Sequence, residues 1–140
     1  MAGNTTPIFS RIGAIGGIGS TTILTATADY TGIGANNILI FTSDATNGGF
    51  VQRIRFKAIG TNIATVMRIY INNGSTNGTA TNNVFYGEIS LPATTASNTA
   101  ATVDIDYPLN LALPAGYRIY AGVATTVASG WVATVVAGAY

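Results

Sequence analysis

Residues 50–58 read FVQRIRFKA, and this stretch decides the fold class. Side chains on an extended strand point alternately to opposite sides, so Phe50, Gln52, Ile54, Phe56 and Ala58 share one face. Val51, Arg53, Arg55 and Lys57 share the other. The first face reads as core and the second as wet. The same period recurs at 66–71, where Met67, Ile69 and Ile71 oppose Val66, Arg68 and Tyr70. At 103–107, Val103, Ile105 and Tyr107 oppose Asp104 and Asp106. Half-buried antiparallel sheets have this pattern.

Working outward, β-branched runs separated by Gly, Asn, Ser and Pro clusters predict strands over 8–12, 21–27, 37–42, 50–58, 64–72, 83–91, 102–109, 117–124 and 131–137. Eight or nine short strands without helical periodicity predict an all-β, antiparallel β-sandwich, jelly-roll-like in arrangement. The chain has 140 residues, enough for one core. Three segments interrupt the pattern. Residues 71–83, INNGSTNGTATNN, carry the pairs Asn73-Gly74 and Asn77-Gly78 and predict a long exposed hairpin tip. Residues 92–101, PATTASNTAA, lack charge and bulk and suit an extended segment packed along a neighbour. Residues 13–19, GAIGGIG, hold four glycines, too many to hold a strand by themselves. The predicted division is therefore an arm over 1–19, flexible or ordered by a partner, and a sandwich over 20–140.

Only 8% of the residues are charged, against about 25% in an average domain. With 21 Thr and 21 Ala, the surface is built from small uncharged side chains suited to flat contacts between subunits. The formal charge of +1 gives no field that would hold nucleic acid or an anionic membrane. The N-terminus lacks the basic and apolar regions of a secretory signal, and no apolar window reaches the roughly 18 residues of a membrane span. The expected site of synthesis is the cytoplasm.

With no Cys and no His, neither a Ser-His-Asp nor a Cys-His nucleophile can be assembled, and imidazole and thiolate metal ligands are missing. No enzymatic activity, cofactor or metal is expected. The glycines at 13, 16, 17 and 19 match neither a dinucleotide-binding fingerprint nor a P-loop. Asp104 and Asp106 stand roughly 6.5 to 7 Å apart along one strand face, a separation like that of a glycosidase pair. Their place in a regular alternating strand favours a solvated face, or pairing with Arg53, Arg55 or Lys57. A Ca²⁺ ion would need about six or more oxygens, which two carboxylates and some loop carbonyls barely supply.

Two groups remain as candidate sites. Arg53, Arg55 and Lys57, extended by Arg68, would dock onto an acidic partner surface, or would simply be the polar face of a sheet. Trp131, Tyr117 and Tyr120 would stack on sugars, or anchor a core or interface.

The stretch 88–140 contains LPATTAS at 91–97, PLNLALPAGY at 108–117 and a closing strand after Gly130-Trp131. On these elements the chain resembles small Ala/Thr-rich virion structural proteins of tailed phages and prophages, of the capsid-decoration kind. The likeness extends more loosely back to the strand at 53–62, and the first 35 residues carry none of it. The resemblance implies a jelly-roll sandwich without catalytic residues, sitting on the capsid as a trimer or other homo-oligomer and clamping neighbours. The implied partners are further copies of itself and the major capsid protein or another virion protein, and the implied location is the virion. Two other roles compete. A glycan-binding fibre or tail-tip module predicts Trp131 and a Tyr exposed together, whereas cementing predicts buried rings. A subunit of an open tube or filament would exchange its arm with the next copy.

Overall fold

A computed structural model describes residues 10–27 and 29–140. Within them the chain forms eight strands: β1 (Ile12–Gly16), β2 (Ile38–Thr42), β3 (Gly49–Ala58), β4 (Thr65–Asn72), β5 (Asn83–Leu91), β6 (Asp104–Leu113), β7 (Arg118–Val123) and β8 (Trp131–Ala139). The only helical turn among the described residues is a 3₁₀ turn at Ala80–Asn82. The strands form two four-stranded antiparallel sheets, ordered β1-β8-β3-β6 and β2-β7-β4-β5. The chain pairs as a rolled-up hairpin, β1 with β8, β2 with β7, β3 with β6 and β4 with β5. The sheets pack face to face as a β-sandwich.

Its core interleaves Val51, Ile54, Phe56, Leu109, Ala133 and Val135 from one sheet with Ile40, Met67, Ile69, Ile119, Ala121 and Val123 from the other. Trp131 is buried at one end of this layer beside Ile23 and Val127. Burial of this apolar surface is the main force holding the two sheets together.

The strand at 50–58 differs from its prediction in one instructive way. Ile54, Phe56 and Ala58 face the core as their alternation implies, but Val51 is also buried while Gln52 is exposed. The register shifts between Val51 and Arg53 against both neighbours: β3 carries Gln52 as an extra residue against β8, and β6 carries one extra residue, within Leu109-Asn110, against β3. One extra residue reverses the phase, so Val51 and Ile54 both point inward. Opposite the bulge on β6, Asn110 takes a positive φ of 48°, a conformation that Asn tolerates better than most residues. β6 runs through Pro108, which is compatible with its place at the edge of the sheet.

Two other expectations change. Residues 21–27 form no strand. Ile23 bridges Trp131 in one sheet and Ala26 bridges Val123 in the other, so the segment spans the end of the sandwich and belongs to neither ladder. The predicted strand at 8–12 lies mostly outside the described residues, and the strand found begins at Ile12. Part of the predicted arm, Ile12–Gly16, is the outer strand of the first sheet, while residues 1–9 lie outside the described residues. The glycines do not hold this strand alone: β8 supplies its hydrogen-bond ladder. A Cβ at Gly16 would collide with the Ile40 carbonyl oxygen, and one at Gly17, whose φ is +88°, with that of Ala133. The glycines are what allow β1 to lie this close to its neighbours.

The hairpin tip between β4 and β5 is tied down by its asparagines. Asn72 Nδ2 donates to Asn83 Oδ1 at 2.8 Å, Asn82 Nδ2 to the Thr76 carbonyl at 2.9 Å, and Asn83 Nδ2 to the Asn77 and Thr31 carbonyls at 2.9 and 3.1 Å. Of the two Asn-Gly pairs, only Gly74 uses positive φ.

Candidate functional site

β3 and β6 lie side by side in a register that sets Arg55 opposite Asp106 and Lys57 opposite Asp104. All four side chains point to the outer face of the first sheet. The Arg55 guanidinium forks onto Asp106, Nε to Oδ1 at 2.9 Å and Nη2 to Oδ2 at 3.2 Å. Lys57 Nζ lies 2.9 Å from Asp104 Oδ1 and also donates to the Thr102 carbonyl. The Arg55 hydrogen bond holds the Asp106 carboxyl below its ordinary value, and Asp106 in turn raises Arg55. Each carboxylate is thus engaged by a cation of the neighbouring strand on a regular sheet face, rather than facing its fellow across a cleft as a glycosidase pair does. Arg53 completes the row opposite Pro108 and has no carboxylate partner among the described residues. The row is thus a largely self-neutralised ladder with one surplus cation.

Arg68 does not extend it. β4 belongs to the second sheet, so Arg68 emerges on the opposite side of the sandwich. There its guanidinium lies 4.2 Å from the centre of the Tyr30 ring, with Nε 3.8 Å from Glu88 Oε2 and Nη1 reaching the Thr27 carbonyl at 3.5 Å. Tyr30 also meets Phe85 edge-on, with ring centres 5.1 Å apart, and Phe85 tilts onto Tyr70 at 5.8 Å. Burial raises the Tyr70 hydroxyl above its ordinary pKa, and that hydroxyl donates to the Asp29 carbonyl at 3.0 Å. The sequence reading did not single out Tyr30. A local signal was present in Asp29-Tyr30-Thr31-Gly32: Asp29 Oδ1 accepts from the Thr31 N–H at 3.0 Å and hydroxyl at 2.8 Å, a turn that sets Tyr30 on the sheet.

The candidate aromatic platform is not a surface. Trp131 is fully buried and Tyr120 nearly so, while Tyr117 is half-buried against the core. Trp131 lies at an inward position of β8, Tyr120 alternates with the core residues Ile119 and Ala121 and is covered on the outer face of β7 opposite Tyr70, and Tyr117 precedes β7; a sugar has no access to Trp131 without opening the sandwich.

The elements of the resemblance have structural work to do. Thr94, within LPATTAS, exchanges both backbone hydrogen bonds with Asn62, at 3.1 and 2.9 Å. Asn62 Oδ1 accepts from the N–H groups of Ser129 and Gly130 at 2.9 and 2.7 Å, and its Nδ2 donates to the Gly130 carbonyl at 3.1 Å. The Gly130-Trp131 step is therefore capped by a buried asparagine. In PLNLALPAGY, the Pro114 carbonyl accepts from the Ser43 hydroxyl at 2.6 Å and Gly116 turns with φ of +74°. Residues 92–101 pack at Thr94 and Ala96 onto their own chain, and the rest of the segment is exposed.

Two of the shallow concavities on the described surface have uncharged or nearly uncharged linings. One, of about 390 Å³, lies between β1 and β2 and is lined by 14–20 and 39–42. The other, of about 420 Å³, lies between 57–60 and 96–102. Among the described residues, no three His, Cys, Asp or Glu side chains gather where they could hold a metal ion. The chain matches no protein-family model, no curated protein and no solved structure.

Proposed function

We propose that this chain is a non-enzymatic structural protein of a tailed-phage virion that decorates or cements the capsid as a homo-oligomer. The observation that carries the reading is a two-sheet sandwich with only 8% charged residues, of which Arg55, Lys57 and Arg68 pair with Asp106, Asp104 and Glu88 on its own surface, leaving small uncharged side chains for contact with other subunits. The pairing of β1 with β8, β2 with β7, β3 with β6 and β4 with β5 supports reading the sandwich as a jelly roll, an architecture common among viral capsid domains. Burial of Trp131 and Tyr120 favours cementing over a glycan-binding fibre module. The mechanism is adhesion: uncharged faces bury against the lattice and sister copies, the exposed part of 92–101 reaches over a neighbour, and symmetry multiplies many weak contacts. Of the basic row on β3, Arg53 is the cation left to meet an acidic partner.

Immunogold electron microscopy tests this, using antibody to the purified chain on particles induced from a bacterium carrying the coding sequence. Label over the heads is the expected result. Label confined to tail tips would move the protein to the fibre class, and unlabelled particles would end the virion reading.

A further inference from the structure

The two lateral sides of the sandwich are built differently. On one, β5 and β6 are the outer strands. There Tyr107 of β6 covers Gly87 of β5 so closely that a Cβ on Gly87 would strike its hydroxyl. That side also carries Glu88, Asp104, Asp106 and the ladder-breaking Pro108. Charges and proline on edge strands are the usual protection against unwanted strand addition. On the other side, β1 and β2 are the outer strands, and neither has a strand partner on its open side among the described residues. No charged residue occurs in 12–27 or 30–43. Ile12, Ile15 and Ile18 are 70, 61 and 84% exposed, and Leu39 of β2 is 41% exposed. The groove between these strands is lined without a single charge.

We propose that this β1–β2 side is a self-association surface, and that a second copy of the chain occupies it with the two β1 strands antiparallel about a two-fold axis. An unprotected strand edge binds another strand edge, because its free N–H and C=O groups need a ladder. Within 12–20 and 39–42 a charged partner finds nothing to pair with, Arg11 lying just before the strand, and the same uncharged strip on a second copy matches it. The net charge of +1 sets up little repulsion between copies. A two-fold contact satisfies both edges at once and closes, so no filament grows from it. Ile12 and Ile15, three apart on β1, project to opposite faces of the strand, so exposed apolar side chains flank its open edge on both sides and an adjoining strand would cover them. The inference does not rest on the virion reading: a dimer that never reaches a particle leaves it standing.

Sedimentation velocity over a range of concentrations tests it on the full chain, Ile15→Lys and Val84→Lys, the last on the protected side. A dimer is expected for the native chain and for Val84→Lys, with the Ile15→Lys dissociation constant raised at least about tenfold. Because the chain has no cysteine, Ile15→Cys and Val84→Cys give an independent readout. Mild oxidation should yield a disulfide-linked dimer from the first and not from the second, and this decides the matter if Ile15→Lys fails to fold. A native chain that stays monomeric, or a dimer that Ile15→Lys leaves as tight as before, overturns the proposal, as does equal cross-linking of the two cysteine variants.

Discussion

Replacing Asn62 by Ala would remove the side chain that joins three segments at one end of the sandwich. Asn62 is buried, and its carboxamide satisfies the N–H groups of Ser129 and Gly130 and the carbonyl of Gly130, with Thr94 Oγ1 3.2 Å from its Nδ2. Alanine leaves the Ser129 and Gly130 N–H groups without partners, while the Gly130 carbonyl keeps only the Ile59 N–H at 3.3 Å. A buried polar group stranded in this way costs about 1–3 kcal/mol. Ser129 is only half-buried, and some relaxation follows, so the sum is roughly 3–5 kcal/mol. That is a large part of the roughly 5–15 kcal/mol that holds a domain folded. For a chain of this size it corresponds to a fall in Tm of about 10–20 °C. Thr94→Val removes only the hydroxyl that donates to the Gly60 carbonyl at 2.7 Å and meets Asn62, and should cost less. Thermal denaturation followed by circular dichroism, on both single variants and the double, measures the costs and their coupling. A drop under about 3 °C for Asn62→Ala, or simple additivity in the double variant, would refute the argument that this side chain organises the 60–62, 94 and 129–130 loops.

Other consequences follow from the same geometry. Trp131 is the sole tryptophan and is fully buried, so native emission should be blue-shifted, resist acrylamide quenching and remain unmoved by oligosaccharides; a red, readily quenched emission would contradict its placement. Gly17→Val places a side chain against the Ala133 carbonyl at a φ of +88°, so it should detach β1 and raise hydrogen exchange along β1 and the facing edge of β8, while β4 and β7 stay protected. Asp29, Asp44 and Asp106 are all held below the ordinary value of 3.8, by hydrogen bonds from Thr31, from the Asn47 and Thr46 amides, and from Arg55 respectively. Their contribution is therefore complete above that value and disappears as pH falls through the depressed values. With no histidine to titrate, Tm should be level from about pH 5 to 8 and decline only in stronger acid; a step near neutrality would be inconsistent with this charge inventory.

The alternation at 54–58, 66–69 and 104–107 was legible because inward and outward side chains alternate there, and the sheet type followed from it. The bulge at Gln52 was not, because a bulge depends on what lies on the neighbouring strands. Its one local trace was a polar Gln in a row otherwise read as core. Arg68 was assigned to the wrong side for a related reason: strands adjacent in sequence were taken as adjacent in space, whereas 59–64 crosses from one sheet to the other. Residue type alone did not place the aromatics, since Trp131 and Tyr30 carry equally plausible rings and only the fold buries one and exposes the other. The glycines of 13–19 were read for their flexibility, and their absence of bulk proved the more informative property.

Quantitative mass spectrometry of gradient-purified particles tests the central claim most directly, by counting copies of this chain against the major capsid protein. Capsid decoration predicts a copy number comparable to that of the capsid subunit. Absence from particles, or only the few copies of a tail-tip component, would contradict it.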